Sequence, residues 1–415
     1  MNSKNILIIN YVFPPYPGIG GRRWAKFAKY LYRYGHNVYV IAAQNPYSNV
    51  STFINDIAEI PKENFYYLPP LYPKIIFSPL KNFIDKLQYQ FWYRVLPLFT
   101  DGNYYDRSMF WKNQLQKKIV KLIEEKKIDT IIVSGPPFHY AYYTLQLKDI
   151  YPNIKFIVDY RDEWTFNGVH GIDSIGERRK QKEIEKEKYV CEKADVVISC
   201  ASLILEYLNK KYKLKNYFLL SHAYDKDDFN FSFDKKSLSN DKIIITLFGN
   251  IEGDQSLFFE NLNKFLNVLQ NQNKELYQKI FFNFYLLSPN KYLSIIKPHK
   301  DKYIVKYNLS SEKLFEEIIE SHFILVLLSK RSKDYFTTKF PELFYMKKPL
   351  LLWSEKGIIG EFVKKHKIGI HLTKENFNEL FLYALSHPEE FQYTNFPIEE
   401  WDYEYLTNQL INSLK

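Results

Sequence analysis

The sequence predicts an α/β protein built from two doubly wound, mostly parallel sheets, and three observations carry that expectation. Short apolar runs alternate with amphipathic helical patterns along most of the chain, the order that builds parallel sheets with helices on both faces. The opening run leads into a glycine-rich loop, a helix and a second strand, the usual start of such a sheet. At 415 residues the chain also exceeds one ordinary core, so two domains of roughly 150–250 residues are expected.

Residues 5–10, NILIIN, read as a buried strand. In RRWAKFAKYLYRYG the apolar residues Trp24, Phe27, Ala28 and Leu31 recur at three- and four-residue spacing, which marks an amphipathic helix. Gly35 stands where a C′ glycine would stop it. NVYVIA is the next strand. DTIIVSG at 129–135 resumes the alternation, followed by helix YAYYTLQLKDI, strand KFIVDYRD and a long charged helix over about 175–193. Strand ADVVISC, helix ASLILEYLNKKY and a last strand and turn in NYFLLSHAYD close a first domain over 1–225. Residues 226–241 are polar without periodicity and read as a linker. A second domain over 242–398 runs through KIIITLFGN, a helix from about 255, IFFNFYLL, YIVKYN, SEKLFEEIIES, FILVLL, KFPELFYM, PLLLW, IIGEFVKKH and IGIHL. Residues 399–415 carry one more helix, expected to return to the first domain.

Apolar residues at 46% and charged residues at 25% fit a globular chain rather than a disordered one. Aromatics reach 18%, with 35 Tyr and 33 Phe, and part of that excess is expected from AT-rich coding bias rather than function. A net charge of +10 suits an anionic partner: a nucleotide, a phospholipid surface or a nucleic acid. There is no zinc-ligand pattern, RNA-binding aromatic signature or polybasic tail, so nucleic acid ranks last. Two cysteines, Cys191 and Cys200, imply no disulfide framework and fit a reducing cytoplasm. MNSKNILIINYVF reads as a first strand rather than a signal peptide. No run reaches the ~18 apolar residues of a spanning helix.

Residues 66–115 depart from the alternation. They mix Pro, aromatics and Lys/Arg and read as an insertion with short helices. Two accounts stand side by side: a surface that faces an anionic membrane, because aromatic rings and cationic stems both favour the bilayer interface, or a satellite core under a long loop.

The chemistry-bearing residues fall at strand ends. Gly18, Gly20 and Gly21 follow the first strand, where glycine lets backbone approach a ligand, although the loop has neither a GxGxxG pattern nor a P-loop Lys-Ser/Thr. PPYPGIGGRRWAKFAKYLYRYGHNVYVI resembles the N-terminal signature of family-4 GT-B glycosyltransferases, and VSGPP at 133–137 and VDYRDEW at 158–164 look like the next segments of one bacterial surface-polysaccharide branch. ADVVISCA, SHAYD, ITLFGNIEG and TTKFPELFYMKKPLLLW are similar to later segments, in the right order. The resemblance implies two Rossmann-like domains facing a cleft, an acceptor-side first domain and a nucleotide-sugar donor domain. It implies retaining sugar transfer to a glycan or lipid-linked acceptor, without metal or other cofactor.

Carried onto this sequence, the resemblance places Glu342 at the donor ribose and Asp334, eight positions earlier and shorter than the family's glutamate, at the donor sugar. Gly20, Gly21, Gly249, Asn250, Thr338 and Lys339 would also contact the donor. Where relatives carry an Arg and a Lys for phosphate, GNIEGDQSLFF offers acids, so Lys330, Arg331, Lys339 or the Arg22–Arg23 pair would supply the charge. Where many relatives place a histidine, Ser134 and Gly135 stand, with His139 nearby. Arg161 and Asp162 would pair or bind an acceptor hydroxyl, with Asp162 as the acceptor-orienting carboxylate. Trp164 would offer a stacking plane, and Arg22, Ser134 and His139 complete the acceptor side. A GT-B-shaped nucleotide-sugar epimerase and a non-catalytic GT-B binding module are the alternatives.

Overall fold

A computed structural model describes residues 3–166, 168, 170–229, 241–391, 393 and 396–414. Residues 230–240 of the expected linker lie outside them. The chain divides into two compact units, residues 1–222 with 403–415, and residues 223–402.

In the first unit β1 (Asn5–Asn10), α1 (Arg22–Arg33), β2 (Asn37–Ala43), β3 (Phe65–Leu68), α2 (Phe83–Val95), α3 (Lys112–Lys126), β4 (Thr130–Gly135), α4 (His139–Leu145), β5 (Lys155–Tyr160), α5 (Glu177–Lys193), β6 (Val196–Ser199), α6 (Ser202–Tyr212) and β7 (Tyr217–Leu219) follow one another. The seven strands lie in the order β3-β2-β1-β4-β5-β6-β7 and every pairing is parallel. β1 and β4 are central, and Ile6 to Ile9 are wholly buried. Each such side chain contributes about 1.5–3 kcal/mol by leaving water. α1 ends as its glycine demands: Gly35 has φ +82°, its N–H reaches the Tyr32 carbonyl and the His36 N–H reaches that of Leu31, a Schellman closure.

The sequence treats α1 as amphipathic, but Arg22, Arg23, Lys26 and Lys29 are buried along with its apolar stripe. Lys26 pairs with Asp56 at 2.7 Å. The C-terminal helix α13 (Tyr403–Ser413) belongs to this unit and packs on α1, with Tyr403 edge-on to Phe27 at 5.0 Å.

The 66–115 stretch is heterogeneous. Its first residues are in β3, an edge strand, and its last open α3. Between them α2 starts at a capping box, Asn82 accepting from the Asp85 N–H and Asp85 from that of Asn82. Its inner side supplies Trp92, which with Leu96 packs on Tyr72, Tyr104, Met109, Ile172 and Ile175, a satellite core. Its outer side is apolar and exposed: Phe83 (73%), Ile84, Leu87 and Phe91, continued by Leu98 (81%) and Phe99. No helix among the described residues is long and apolar enough to cross a membrane.

The second unit holds β8 (Ile243–Gly249), α7 (Ser256–Gln272), α8 (Lys274–Lys279), β9 (Ile280–Leu286), β10 (Tyr303–Tyr307), α9 (Ser311–Ile319), β11 (Phe323–Leu327), α10 (Lys339–Tyr345), β12 (Leu350–Trp353), α11 (Ile358–Lys365), β13 (Gly369–Leu372) and α12 (Phe377–Ser386). Its six parallel strands run β10-β9-β8-β11-β12-β13. The period-two pleat splits the core in two. Phe323, Leu325, Leu351 and Trp353 face α7 and α12 residues such as Phe258 and Phe381. Ile324, Val326, Leu350 and Leu352 face α10 and α11 residues such as Phe344 and Val363.

Candidate functional site

Each unit presents its loops at the C-terminal ends of its strands, where open parallel sheets bind ligands. In the first unit Arg161, just past β5, ties these loops together. Its Nε donates to the Gly135 carbonyl at 3.0 Å, Nη2 to that of Pro136 at 2.9 Å and Nη1 to that of Gly20. The predicted pairing with Asp162 therefore gives way to three backbone acceptors. Asp162 stays half-exposed, 3.5 Å from His170 Nε2.

The two glycines serve this clamp. A Cβ on Gly20 would sit 2.9 Å from Arg161 Nη1, and one on Gly21 would press on the Val12 carbonyl at 3.2 Å and Pro14 Cδ at 3.3 Å. Gly21 is buried with φ −84°, so its small size closes its own loop.

Under the loops Asp159 is a buried hub. It accepts from Trp24 Nε1 at 2.7 Å, Ser134 Oγ at 2.8 Å and Arg23 Nε at 3.2 Å. Arg23 also donates to the Leu220 and Ser221 carbonyls. Arg23 is thus spent and cannot serve a phosphate, and Ser134, wholly buried, cannot meet an acceptor. Arg22 is also buried, its guanidinium 5.9 Å from the Phe53 ring.

His139 is corrected in the same way. It is buried and its Nε2 lies 2.8 Å from Glu183 Oε1. Burial opposes its charge, but Glu183 outweighs burial and raises its pKa. Glu183 itself is held well below the usual carboxylate range: burial opposes this, and His139 and Lys186 overcome it. Trp164 is 2% exposed, donates Nε1 to Glu183 Oε2 at 2.8 Å and stacks on Phe138 at 4.9 Å. It is a packed wall, not an open stacking plane.

Asp159 and Glu183 are the residues sequence reasoning missed here. Glu183 and Glu187 are four apart and share the face that Val190 and Cys191 bury. That spacing is readable inside the helix that the sequence marks as long and charged.

Beside the clamp lies a cavity of about 260 Å³. Pro136, Pro137 and Phe138 after β4, Trp164 and His170 after β5, and Phe77 with Asn103 to Arg107 from the 66–115 stretch contribute to its walls.

In the second unit β8 ends at Gly249, whose φ of +89° favours glycine. Lys339, first in α10, lays its Nζ 3.2 Å from the Phe248 carbonyl and 5.2 Å from the Phe248 ring. A Cβ on Gly249 would stand 3.3 Å from that Nζ. Burial lowers the Lys339 pKa, against the pull of Glu252 and Glu342. Glu342 is half-buried one turn along α10, on the side of Lys339. Thr338 is the N-cap residue without a side-chain cap bond, and Thr337 Oγ1 is buried without a partner. Asn250 is exposed beside Gly249.

The other predicted donor residues are placed differently. Lys330 is 86% exposed and pairs with Glu355 at 3.2 Å, and Lys333 approaches the same carboxylate at 3.7 Å. Arg331 is exposed in the same turn. Asp334 accepts the Ile358 N–H at 2.8 Å, so one carboxylate oxygen caps α11.

No protein-family model matches the sequence, and no curated protein does. Solved structures match along the whole chain. Sucrose-phosphate synthase from Thermosynechococcus elongatus shares 13% identity at a TM-score of 0.60, over 99% of this chain and 98% of that one. The UDP-forming α,α-trehalose-phosphate synthase from Burkholderia vietnamiensis shares 11% at 0.57, over 100% and 98%. UDP-GlcNAc 2-epimerase from Neisseria meningitidis, bound to UDP-GlcNAc, shares 11% at 0.50, over 99% of each chain. At such identities the likeness shows the fold. The chain has the GT-B architecture of two Rossmann-like domains, one that glycosyltransferases and a nucleotide-sugar epimerase both use.

Proposed function

We propose that the chain is a retaining, metal-independent glycosyltransferase of the family-4 type that it resembles. It would take a nucleotide-sugar donor on the second unit and a glycan or lipid-linked acceptor on the first, in bacterial surface-polysaccharide or glycoconjugate synthesis. The observation that carries the reading is Lys339 over Gly249. A half-buried ammonium rests on a backbone carbonyl rather than a carboxylate, beside a glycine that leaves the space open. Transfer requires stabilising a leaving diphosphate while positive charge grows on the sugar, and a fixed cation does this without metal. Gly249 and Asn250 would bring backbone against the phosphates, Thr338 a hydroxyl, and Glu342 would accept from the ribose hydroxyls. Asp162, half-exposed past β5, would orient the acceptor. The exposed apolar side of α2, with Lys74, Lys81, Lys86 and Arg94 in its segment against Asp85 alone, would seat the protein on the inner face of the cell membrane.

The test is calorimetric titration of UDP, GDP, dTDP and CMP into wild type and Lys339→Met. One nucleotide is expected to bind, and the variant to lose at least tenfold, about 1.4 kcal/mol, with melting unchanged. Equal affinity in the variant refutes the donor site. Incubation with the matching nucleotide sugar and no acceptor is expected to leave the sugar unchanged; epimerised sugar would assign the chain to the epimerases instead.

A further inference from the structure

The cavity beside the clamp belongs to none of the donor chemistry. Its walls come from the ends of β4 and β5 and from the 66–115 stretch, all within the first unit. At about 260 Å³ it falls below the roughly 300–1,000 Å³ of drug-sized sites. That volume suits one sugar ring with a small substituent, not a nucleotide.

The walls are aromatic with one well-placed cation. Phe77, Tyr105, Phe138 and Trp164 supply ring surface. Arg107 is half-buried among them, its guanidinium 5.2 Å from the Phe77 ring and 5.6 Å from the Tyr11 ring. Among the described residues no carboxylate forms an ion pair with it. The adjacent Asp106 does not neutralise it. One Asp106 oxygen accepts from the Ser108 N–H at 2.9 Å and Oγ at 2.6 Å, the other from the Phe138 N–H at 2.6 Å and the His139 N–H at 3.1 Å. The carboxylate is thus consumed in fixing the wall, while the neighbouring guanidinium is stacked, oriented and without a counter-ion. His170 adds a further nitrogen, and its main-chain carbonyl is held by Asn103 Nδ2 at 2.9 Å.

A planar guanidinium held by rings in a partly dry recess is matched to a carboxylate or phosphate, which it can bind through two parallel hydrogen bonds. We propose that this cavity is a subsite for a sugar ring carrying an anionic substituent, with Arg107 as the anion-binding residue and the Phe77, Tyr105 and Phe138 rings enclosing the sugar. It rests on the acceptor-side reading of the first unit and names the substrate class there: a charged glycan residue or a sugar phosphate.

The test titrates glucose, glucose 1-phosphate, glucuronate and inorganic phosphate into the full chain at 0.15 M salt, a probe concentration at which exposed charges are screened beyond about 8 Å. At least one charged sugar is expected to bind tenfold or more tighter than both glucose and inorganic phosphate. Glucose 1-phosphate ahead of glucuronate assigns a phosphate, the reverse order a carboxylate. Arg107→Gln is expected to erase the preference, and Arg107→Lys to restore part of it. Equal binding of glucose and both charged sugars overturns the proposal, as does inorganic phosphate matching the sugar phosphate, no binding by any sugar, or an undiminished preference in Arg107→Gln. The wild-type comparison decides the matter even where a variant fails to fold. Nucleotide binding and its loss in Lys339→Met report on the donor reading separately, so either can fail alone.

Discussion

Replacing Glu183 by Gln tests the idea that one buried carboxylate holds the walls of the first unit's site. Oε1 accepts from His139 Nε2 at 2.8 Å, the Asn103 N–H at 2.9 Å and Lys186 Nζ at 2.9 Å, and Oε2 accepts from Trp164 Nε1 at 2.8 Å. A carboxylate can serve four donors; an amide turns one oxygen into a donor. If the amide oxygen keeps the His139 side, its NH2 meets the Trp164 indole N–H. His139 also loses its counter-charge, and Lys186 keeps only Asp101, 3.2 Å away. Breaking a buried pair costs about 3–5 kcal/mol, with the upper end reduced if His139 sheds its proton. In a domain of this size each kcal/mol moves melting by about 2–4 °C, so a fall of roughly 6–20 °C is expected by calorimetry.

The pH dependence separates this from simple loss of packing. The lowered Glu183 pKa contributes stability above the unfolded value of about 4.3, lost as pH falls through the folded one. The raised His139 pKa contributes stability below about 6.5, lost as pH rises through the folded one. The pair therefore stabilises most between about pH 4.5 and 6.5. In Glu183→Gln the decline above that window is expected to flatten. A melting change under about 2 °C, or an unaltered pH profile, refutes the assignment of Glu183 as the organising charge.

Three further outcomes follow from single contacts. Asp334→Ala loses the α11 cap and is expected to cost about 1 kcal/mol, while Asp334→Asn keeps an acceptor and the stability; if Asn also keeps full transfer activity, Asp334 is structural and not catalytic. Burial, then Arg23, Arg22 and Arg161, push the His222 imidazole down to about 3. The unfolded chain thus takes a proton the native chain refuses between about pH 6.5 and 3, and stability falls with acidification by up to about 1.4 kcal/mol per pH unit. His222→Asn is expected to reduce the slope of melting temperature against pH between 6.5 and 5, and an identical slope in the variant removes the inference. The α2 surface is expected to bind anionic phosphatidylserine vesicles at low salt and to release them as salt rises. Phe83→Ser with Phe91→Ser is expected to weaken that binding at least tenfold, and vesicle affinity unchanged in the double variant excludes α2 as the contact.

Periodicity made most of the fold readable. Strands such as NILIIN and FILVLL are bounded apolar runs, and α1 ends at Gly35 because only a left-handed residue closes it. What failed to read was anything set by partners far away in sequence. β3 has half-buried Phe65, Tyr66 and Tyr67 and a single buried Leu68, so it carries no core signature and is a strand because β2 offers an edge. α3 hides Leu115, Ile119 and Leu122 among lysines. In 66–115 the satellite core is present, α2 half-burying Trp92 on one side, while another side exposes Phe83, Leu87 and Phe91.

The site was less legible for a related reason. Motif resemblance marks which segments reach the strand ends, but not which of their side chains turn inward. In DYRDEW the residue that organises most is Asp159, buried with Arg23, Trp24 and Ser134, and not the Arg161–Asp162 couple that local spacing suggests. Arg161 instead meets Gly20, 141 residues away, a distance no local pattern can encode. The same logic separates the two cations that matter. Arg23 lies in the first turn of α1 and Lys339 opens α10, and both look equally fit for a phosphate in the sequence. Arg23 has Asp159 against it and is consumed by the fold. Lys339 has a carbonyl and a glycine's empty space, and a charge left in that state is one a ligand can complete.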